Sequence, residues 1–357
     1  MSQGFDVAIV GAGMAGASLA AEIAGAASVL ILEAEARPGY HATGRSAAFW
    51  SETYGGPLIQ PLTSASRPAL APYLSPRGAI HIADEAGREA LAALAGKFAG
   101  GQVALERLDR SALEARLPGL RPGWDEGLYE PTCADIDVAG LHGSCLAKAR
   151  QAGATLVTDA RVARIERTAS RWRIDGRFEA DILVDAAGAW ADEVAALAGE
   201  RPIGIAPYRR TIAQLRVEPP PAADLPLVVD AAGRFYFKPE AGGRLWLSPH
   251  DETPSDPCDC APEEIDIAMA IDRLERVVDW RVQRVEHKWA GLRSFAPDRL
   301  PVYGFSGSGR GFFWCAGQGG FGIQTAPAAA ALAGRLLLGR PPGDIDPAPY
   351  LAARFSL

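Results

Sequence analysis

The sequence predicts an α/β fold joined to an α+β one: a Rossmann-like domain whose sheet the chain visits three times, and a second domain built on an antiparallel or mixed sheet. Three observations predict it. An apolar, β-branched run at 5–10 leads through Gly11-Ala-Gly13-Met-Ala-Gly16 into an alanine-rich stretch. Two later runs, 181–184 and 311–316, also end in glycine junctions that open helices. Between them, segments 203–217, 225–230, 233–239, 243–249 and 282–289 read as strands without the spacing of βαβ units.

The first of these units is strand, turn, helix. A second apolar run, 28–32, ends at Glu33, about 20 residues beyond the first glycine, where a dinucleotide-binding fingerprint places its acid. Gly11 permits the tight turn, Gly13 lets backbone approach a pyrophosphate, and Gly16 lets helix pack on strand. Met14 and Ala15 head the helix, whose first amides and partial positive charge face the phosphates. Glu33, followed by Ala34, is placed to accept ribose hydroxyls, and a 2'-phosphate there would meet like charge, which disfavours NADP. A glycine turn that only eases packing would leave Glu33 unexplained.

Composition bounds the rest. A chain of 357 residues suggests two to three domains, and 48% hydrophobic with 22% charged residues excludes disorder, coiled coil and collagen. With 36 basic and 43 acidic side chains the net charge of -7 argues against a nucleic-acid or anionic-membrane binder. The apolar stretches are too short or too interrupted to span a bilayer, and no basic leader precedes the first, so a cytoplasmic protein is expected. Five cysteines form no C-x-x-C pair, so neither a disulfide framework nor structural zinc is expected. Cys258-Asp-Cys260 lies in a proline-rich loop, 253–261, and reads as an exposed, accidental pair.

The choice between NAD and FAD rests on the residues after Glu33. The small, polar segment Pro38-Gly-Tyr-His-Ala-Thr43-Gly-Arg45-Ser46-Ala47-Ala48 suits a loop running under a long ligand. The second junction, Ala186-Ala187-Gly188-Ala-Trp190, opens a helix to about Ala198; the third, Gly317-Gln-Gly319-Gly320-Phe-Gly322, opens one from Ile323 through Gln324 and Thr325 to Leu338, closed by Gly339. Val162 is assigned to the same wall. Three junctions converging on one sheet fit an extended cofactor, FAD, and a helix N-terminus beside its pyrimidine end would stabilise negative charge on the reduced ring.

On these residues, together with Ala134-Asp-Ile-Asp137, Phe235-Tyr-Phe-Lys-Pro239, Trp289-Ala-Gly-Leu-Arg-Ser-Phe295 and Gln318 to Thr325, the chain resembles the D-amino-acid oxidase (DAO) family of flavoproteins, and within it the FAD-dependent D-arginine dehydrogenase branch. The resemblance covers nearly the whole chain. It implies a glutathione-reductase-type FAD domain assembled from separate pieces, expected at 1–72, 128–198 and 288–357, and a substrate domain from 73–127 and 199–287. It also implies oxidative deamination of D-amino acids to 2-oxo acids and ammonia, with hydride passing from Cα to flavin N5.

That chemistry needs a fixed carboxylate, a neutral amine and an aimed α-hydrogen. A guanidinium binds carboxylate through two parallel hydrogen bonds, and Arg210 and Arg293 match the family's carboxylate binders; Arg209 reads as a salt-bridging neighbour. Tyr236, facing away from Phe235 and Phe237 by strand alternation, and Tyr54, in a loop after a helix start at Ser46, match its tyrosines. Gln324 is expected beside flavin and amine, with Gly291 and Gly320 contributing backbone.

Departures bear on substrate. Where the related dehydrogenases carry a glutamate for a cationic side chain, Ser75-Pro-Arg-Gly-Ala79 ends in alanine, and a histidine is replaced by Phe49. A lone buried guanidinium would be costly there, so neutral or apolar D-amino acids are expected, with Leu227 and Val229 as pocket walls. Some members tether flavin through cysteine; Gly291 holds that position here and Cys315 sits in an apolar strand, so noncovalent FAD is expected. Alternatives are oxidation of glycine, a secondary amine or a 2-hydroxy acid on the same site, or an FAD-binding assembly protein without catalysis. The electron acceptor (quinone, other carrier or oxygen) is open. No metal is expected.

Overall fold

The computed structural model describes residues 3–355. Its first layer is an eight-stranded sheet. Gln3–Val10 lies in the middle, parallel to Val29–Leu32 on one side and Phe178–Asp185 on the other. Thr155–Val157 extends one flank and Phe312–Ala316 the other, both parallel. Val7 and Ile9 pack against helices Met14–Ile23 and Ala326–Leu337, while Ala8 and Val10 pack against Trp172, Trp314 and the short helix Ala191–Leu197. Both faces being covered explains the nearly continuous apolar run.

The second layer is a ten-stranded mixed sheet. Arg281–Phe295 pairs antiparallel with Ala206–Glu218 along its whole length, followed by Arg244–Ser248, Tyr236–Glu240 and Leu227–Asp230. The last runs parallel to Ala79–Ala83, which pairs with Glu126–Glu130. One face packs on helix Glu264–Val277 through Ala213, Leu215, Phe235 and Phe237. Strand alternation therefore turns Arg210, Ile212 and Tyr236 to the opposite face, over the first layer. A three-stranded sheet, Phe49–Trp50, Ala134–Ile136 and Leu74–Pro76, joins the layers.

The α/β class and its antiparallel companion stand as expected, with three differences. The cuts expected at 127/128 and 287/288 fall inside Glu126–Glu130 and Arg281–Phe295, because each strand runs on through the larger sheet. No helix begins at Ser46: its hydroxyl accepts the Ala48 N–H at 2.9 Å, and Ala48 has φ +57°. Within 253–261, Thr253–Pro254 form a short strand against Tyr208 and Arg209. Among the described residues no helix is long and apolar enough to cross a membrane.

Asp185, at the end of its strand, is fully buried; Oδ1 accepts the Ala187 N–H at 3.1 Å and Oδ2 has no partner. Burial pushes this carboxyl well above its ordinary 3.8. Above that pH the unfolded chain releases the proton and the folded one keeps it, so stability from this residue is lost as pH rises toward the folded value. Asp185→Asn, which keeps the acceptor for Ala187, is expected to flatten the decline of melting temperature as pH rises above the ordinary carboxylate range, by about 2 °C per pH unit over which the folded acid stays protonated. Parallel melting curves for the two proteins would contradict this.

Candidate active site

One continuous cavity runs between the layers, from Glu33 at one end to Arg210 and Arg293 at the other. At the first end Gly11 has φ +102°, and a Cβ there would stand 2.5 Å from the Ala186 carbonyl oxygen. A Cβ on Gly16 would stand 1.9 Å from the Gly11 carbonyl oxygen, so this glycine serves helix-on-strand packing and does not line the cavity. Gly13 is different: the space where its Cβ would project meets only Thr43 Oγ1, at 3.4 Å, and no acidic residue occupies the first helical turn. That open cradle at a helix N-terminus fits a pyrophosphate. Glu33 Oε2 accepts the Ala12 N–H at 2.8 Å and Oε1 the Glu35 N–H at 3.0 Å. Each oxygen keeps a lone pair, so the acid both shapes the glycine turn and remains able to accept ribose hydroxyls. His142, which the motif reading missed, fixes the same turn from the Ala12 carbonyl at 2.8 Å.

The walls continue through Ala34, Thr43, Arg45 to Ala48, Val162, Ala187, Gly188 and Trp190, then Gly319, Gly320, Gly322, Ile323 and Gln324. These are the expected cofactor residues, with two corrections. Thr325 lies behind the lining, its hydroxyl turned to the Phe321 carbonyl at 2.9 Å. The Gln324 side chain is consumed by protein: its amide nitrogen donates to the Tyr54 carbonyl at 3.1 Å and Thr63 Oγ1 at 2.9 Å, and its oxygen accepts the Ser51 N–H at 3.3 Å. It holds the loop of Tyr54 rather than facing a substrate.

At the far end Arg210, Arg293, Tyr54 and Tyr236 meet. Arg293 Nη2 donates to the Tyr54 hydroxyl at 2.8 Å and Nη1 to Glu252 at 2.7 Å, while its buried Nε has no partner. Gly320 has no side chain where these groups converge: a Cβ there would stand 2.3 Å from Nη2, 2.4 Å from the Tyr54 oxygen and 2.6 Å from Nε. Gly320 thus lets Arg293 and Tyr54 pack directly on its backbone, and the unsatisfied, buried Nε is the donor left for an incoming carboxylate oxygen. Arg210 is buried and donates from Nε to the Asp251 carbonyl at 2.8 Å. Burial, then the charge of Arg293, lowers its pKa from the usual arginine value. Burial raises the Tyr236 phenol, keeping it protonated. His250, edge-on to Tyr236 at 5.5 Å, is pushed down to about 3 by burial and by the charges of Arg210 and Arg293, so its imidazole is neutral.

Phe49 packs on Tyr54 and Tyr236 at 5.3 and 5.9 Å and closes this end. Leu227, Val229 and Ala79, expected as pocket walls, pack behind Phe49 and Tyr236 and do not line the cavity, because their strands sit beyond Tyr236 in the sheet. Gly291 lines it beside Arg45. Arg209 is held by Glu263 and by Asp266, the latter at 2.7 Å. Of the thiols, Cys258 is exposed and Cys260 half-buried, and both reach the cavity rim. No cluster suited to a metal ion occurs among the described residues.

The loop bearing Tyr54 rests on Glu130, a fully buried carboxylate that accepts the Glu52 N–H at 2.6 Å and the hydroxyls of Ser51 and Thr53 at 2.9 and 2.6 Å. Burial alone would raise its pKa; His81, Thr53 and Ser51 outweigh that and hold it below the ordinary value. Glu130→Ala leaves these donors buried and unpaired, so a loss of about 2–4 kcal/mol is expected, with a smaller loss in Glu130→Gln, which keeps an oxygen acceptor. Equal melting temperatures for the alanine variant and the parent would refute it.

A profile of the FAD dependent oxidoreductase family (DAO) matches residues 6–336. A glycine oxidase of Pseudomonas aeruginosa is 30% identical over 258 residues, 67% of this chain and 65% of that protein, so the chain aligns with just under two thirds of this relative. Among solved structures, a glycine oxidase from Geobacillus kaustophilus superposes with TM-score 0.87 at 24% identity, over 99% of both chains. An iminodiacetate oxidase from Chelativorans sp. BNC1 superposes with TM-score 0.78 at 22% identity, over 97% of this chain and 98% of that one. At these identities the structural likeness is one of fold.

Proposed function

Because the chain belongs to the DAO family of FAD-dependent oxidoreductases, we propose that it oxidises neutral D-amino acids at the Cα–N bond, releasing a 2-oxo acid and ammonia after hydrolysis of the imine. The observation that carries this reading is the meeting of Arg293, with its unpaired Nε, with Arg210, Tyr54 and Tyr236 at one end of the cavity that also holds the dinucleotide cradle. FAD, when bound, supplies the acceptor for the two electrons and the proton that leave Cα. Residues 10–15, 32–34, 43–48, 186–190 and 319–324 would hold it noncovalently, since Gly291 offers no nucleophile and burial pushes the Cys315 thiol up to about 12.

The protein's own part is binding and orientation. Arg293 and Arg210 hold the carboxylate, and the Tyr54 and Tyr236 phenols add hydrogen bonds without adding charge. Two guanidinium ions beside the substrate disfavour a third cation, so its ammonium gives up a proton more readily and the amine stands neutral. Neutral His250 adds no further charge to this end. Bulk beyond Cα meets Phe49, Tyr54 and Tyr236.

A second reading, glycine or an N-substituted glycine, is favoured by one observation: Phe49 touches both tyrosines and leaves little room for a side chain. The likeness to a glycine oxidase and an iminodiacetate oxidase points the same way. Anaerobic mixing of the yellow protein with glycine, sarcosine and D- and L-forms of alanine, methionine and phenylalanine tests both. Bleaching by D-Ala, D-Met or D-Phe, and not their L-forms, supports the first reading; bleaching by glycine or sarcosine alone supports the second. No bleaching by any of them overturns both. Reoxidation in air then reports whether oxygen is an acceptor.

A further inference from the structure

We propose that Asp259 latches a strap across the mouth of the FAD cavity and sets how fast the cofactor leaves. The strap is the segment 38–48 after Glu33, and Asp259 comes from the loop that the sequence marks by Cys258 and Cys260. Asp259 Oδ2 accepts the Tyr40 hydroxyl at 3.1 Å, and Oδ1 pairs with the Arg45 guanidinium. From its other nitrogen Arg45 donates to the Cys260 carbonyl at 3.2 Å and the Ala290 carbonyl at 3.0 Å. Trp289 Nε1 donates to the Arg45 carbonyl at 3.1 Å, so the strap is tied to the substrate-side layer through Asp259, Cys260, Ala290 and Trp289.

The latched residues continue into an aromatic row. The Arg45 guanidinium lies 5.0 Å from the Tyr40 ring centre, Tyr40 meets His41 edge-on at 5.0 Å, and His41 meets Trp190 at 4.7 Å. His41 Nε2 is 3.0 Å from Glu35. All of these line the cavity, and Tyr40, 47% exposed, stands at its rim. The row thus runs along the cavity wall from the Asp259 latch to the Gly188–Trp190 junction, beside the path of a ligand lying between Glu33 and Arg293. Arg45 is well shielded, with 14% of its side chain exposed, whereas Asp259 is open, at 56%. Arg45 therefore stays while the exposed acid is the part that can let go. The turn is closed by its own backbone: Gly39, at φ +80°, accepts the Gly44 N–H through its carbonyl at 2.8 Å.

This inference rests on the cavity holding FAD, and its test reads FAD release rather than turnover. Holoenzyme is diluted and the rise of free-flavin fluorescence is followed. Asp259→Asn and Asp259→Ala are expected to raise the dissociation rate about tenfold, since each removes a charge-assisted pair, and Tyr40→Phe by about two- to threefold. Melting of the apoproteins is expected to be unchanged. A second reading uses the half-buried thiol under the latch: in a Cys258→Ser background, alkylation of Cys260 by N-ethylmaleimide, followed by peptide mass spectrometry, is expected to slow when FAD is bound and to speed up again in Asp259→Asn. Dissociation rates equal to the parent, or an apoprotein that melts lower by as much as the holoenzyme, would overturn the latch while leaving the catalytic reading standing. A chain that takes up no FAD would overturn that reading first.

Discussion

Arg293→Ala is expected to lower kcat/KM by about one and a half to nearly four decades while the protein still folds and stays yellow. Arg293 is the cation with an unsatisfied donor at this end of the cavity. Truncating one partner of a buried charged hydrogen bond costs about 2–5 kcal/mol, which at about 1.4 kcal/mol per decade is about one and a half to nearly four decades in kcat/KM. Folding survives because Glu252 keeps Arg299, at 2.8 Å, as its partner. FAD affinity survives because Arg293 lies at the opposite end of the cavity from Glu33. Arg293→Lys keeps the charge and loses the planar fork, so it is expected to recover only part of the deficit, chiefly in KM. Steady-state kinetics on the substrate that bleaches the flavin decides this; unchanged kcat/KM in the alanine variant would rule out the carboxylate clamp.

Gly16→Ala is expected to abolish FAD binding and cost about 3 kcal/mol or more, at the upper end of overpacking effects. The added carbon would stand 1.9 Å from the Gly11 carbonyl oxygen and 3.2 Å from Ile9 Cγ2, both on the central strand side. Gly11 cannot yield, since its own φ of +102° brings it against Ala186. The helix Met14–Ile23 must therefore lift, and its N-terminus leaves the cradle. Gly13→Ala is the matched control: its Cβ meets only Thr43 at 3.4 Å, so apoprotein melting is expected to hold while FAD affinity falls. Equal behaviour of the two variants in both assays would show that the cradle lies elsewhere.

The parts legible in the sequence are those whose physics is local. Gly11, Gly13, Gly16 and Glu33 announce themselves by spacing, because a turn and a helix start are built from neighbours. Tyr236 is placed by alternation, since Phe235 and Phe237 turn to the helices and it turns away. Arg210 and Arg293 are visible through resemblance, and the register that sets Arg210 opposite Gly291 brings their strands together. The hidden parts act at long range. Glu130 reaches Ser51 and Thr53 across 77 residues or more, and His142 reaches Ala12 across 130. Gln324 reads as a substrate contact through resemblance; only the bonds of its amide to Tyr54, Thr63 and Ser51 reveal that it is engaged by protein. The expected cut at 287/288 falls within a strand because Arg281–Phe295 is long enough to run on from one expected domain into the other.

The central sheet carries a consequence for how the protein comes into being. Gln3–Val10 has neighbours from 29–32 and 178–185, and Phe312–Ala316 seals the flank beside them. During synthesis the first nucleotide-binding turn thus emerges with only 29–32 to pair with, while its other strand neighbour, 178–185, and the flanking 312–316 follow much later. Such non-local closure is slow. Because the wall formed by 319–324 follows that late strand, cofactor capture is one of the final acts of maturation rather than an early guide to folding.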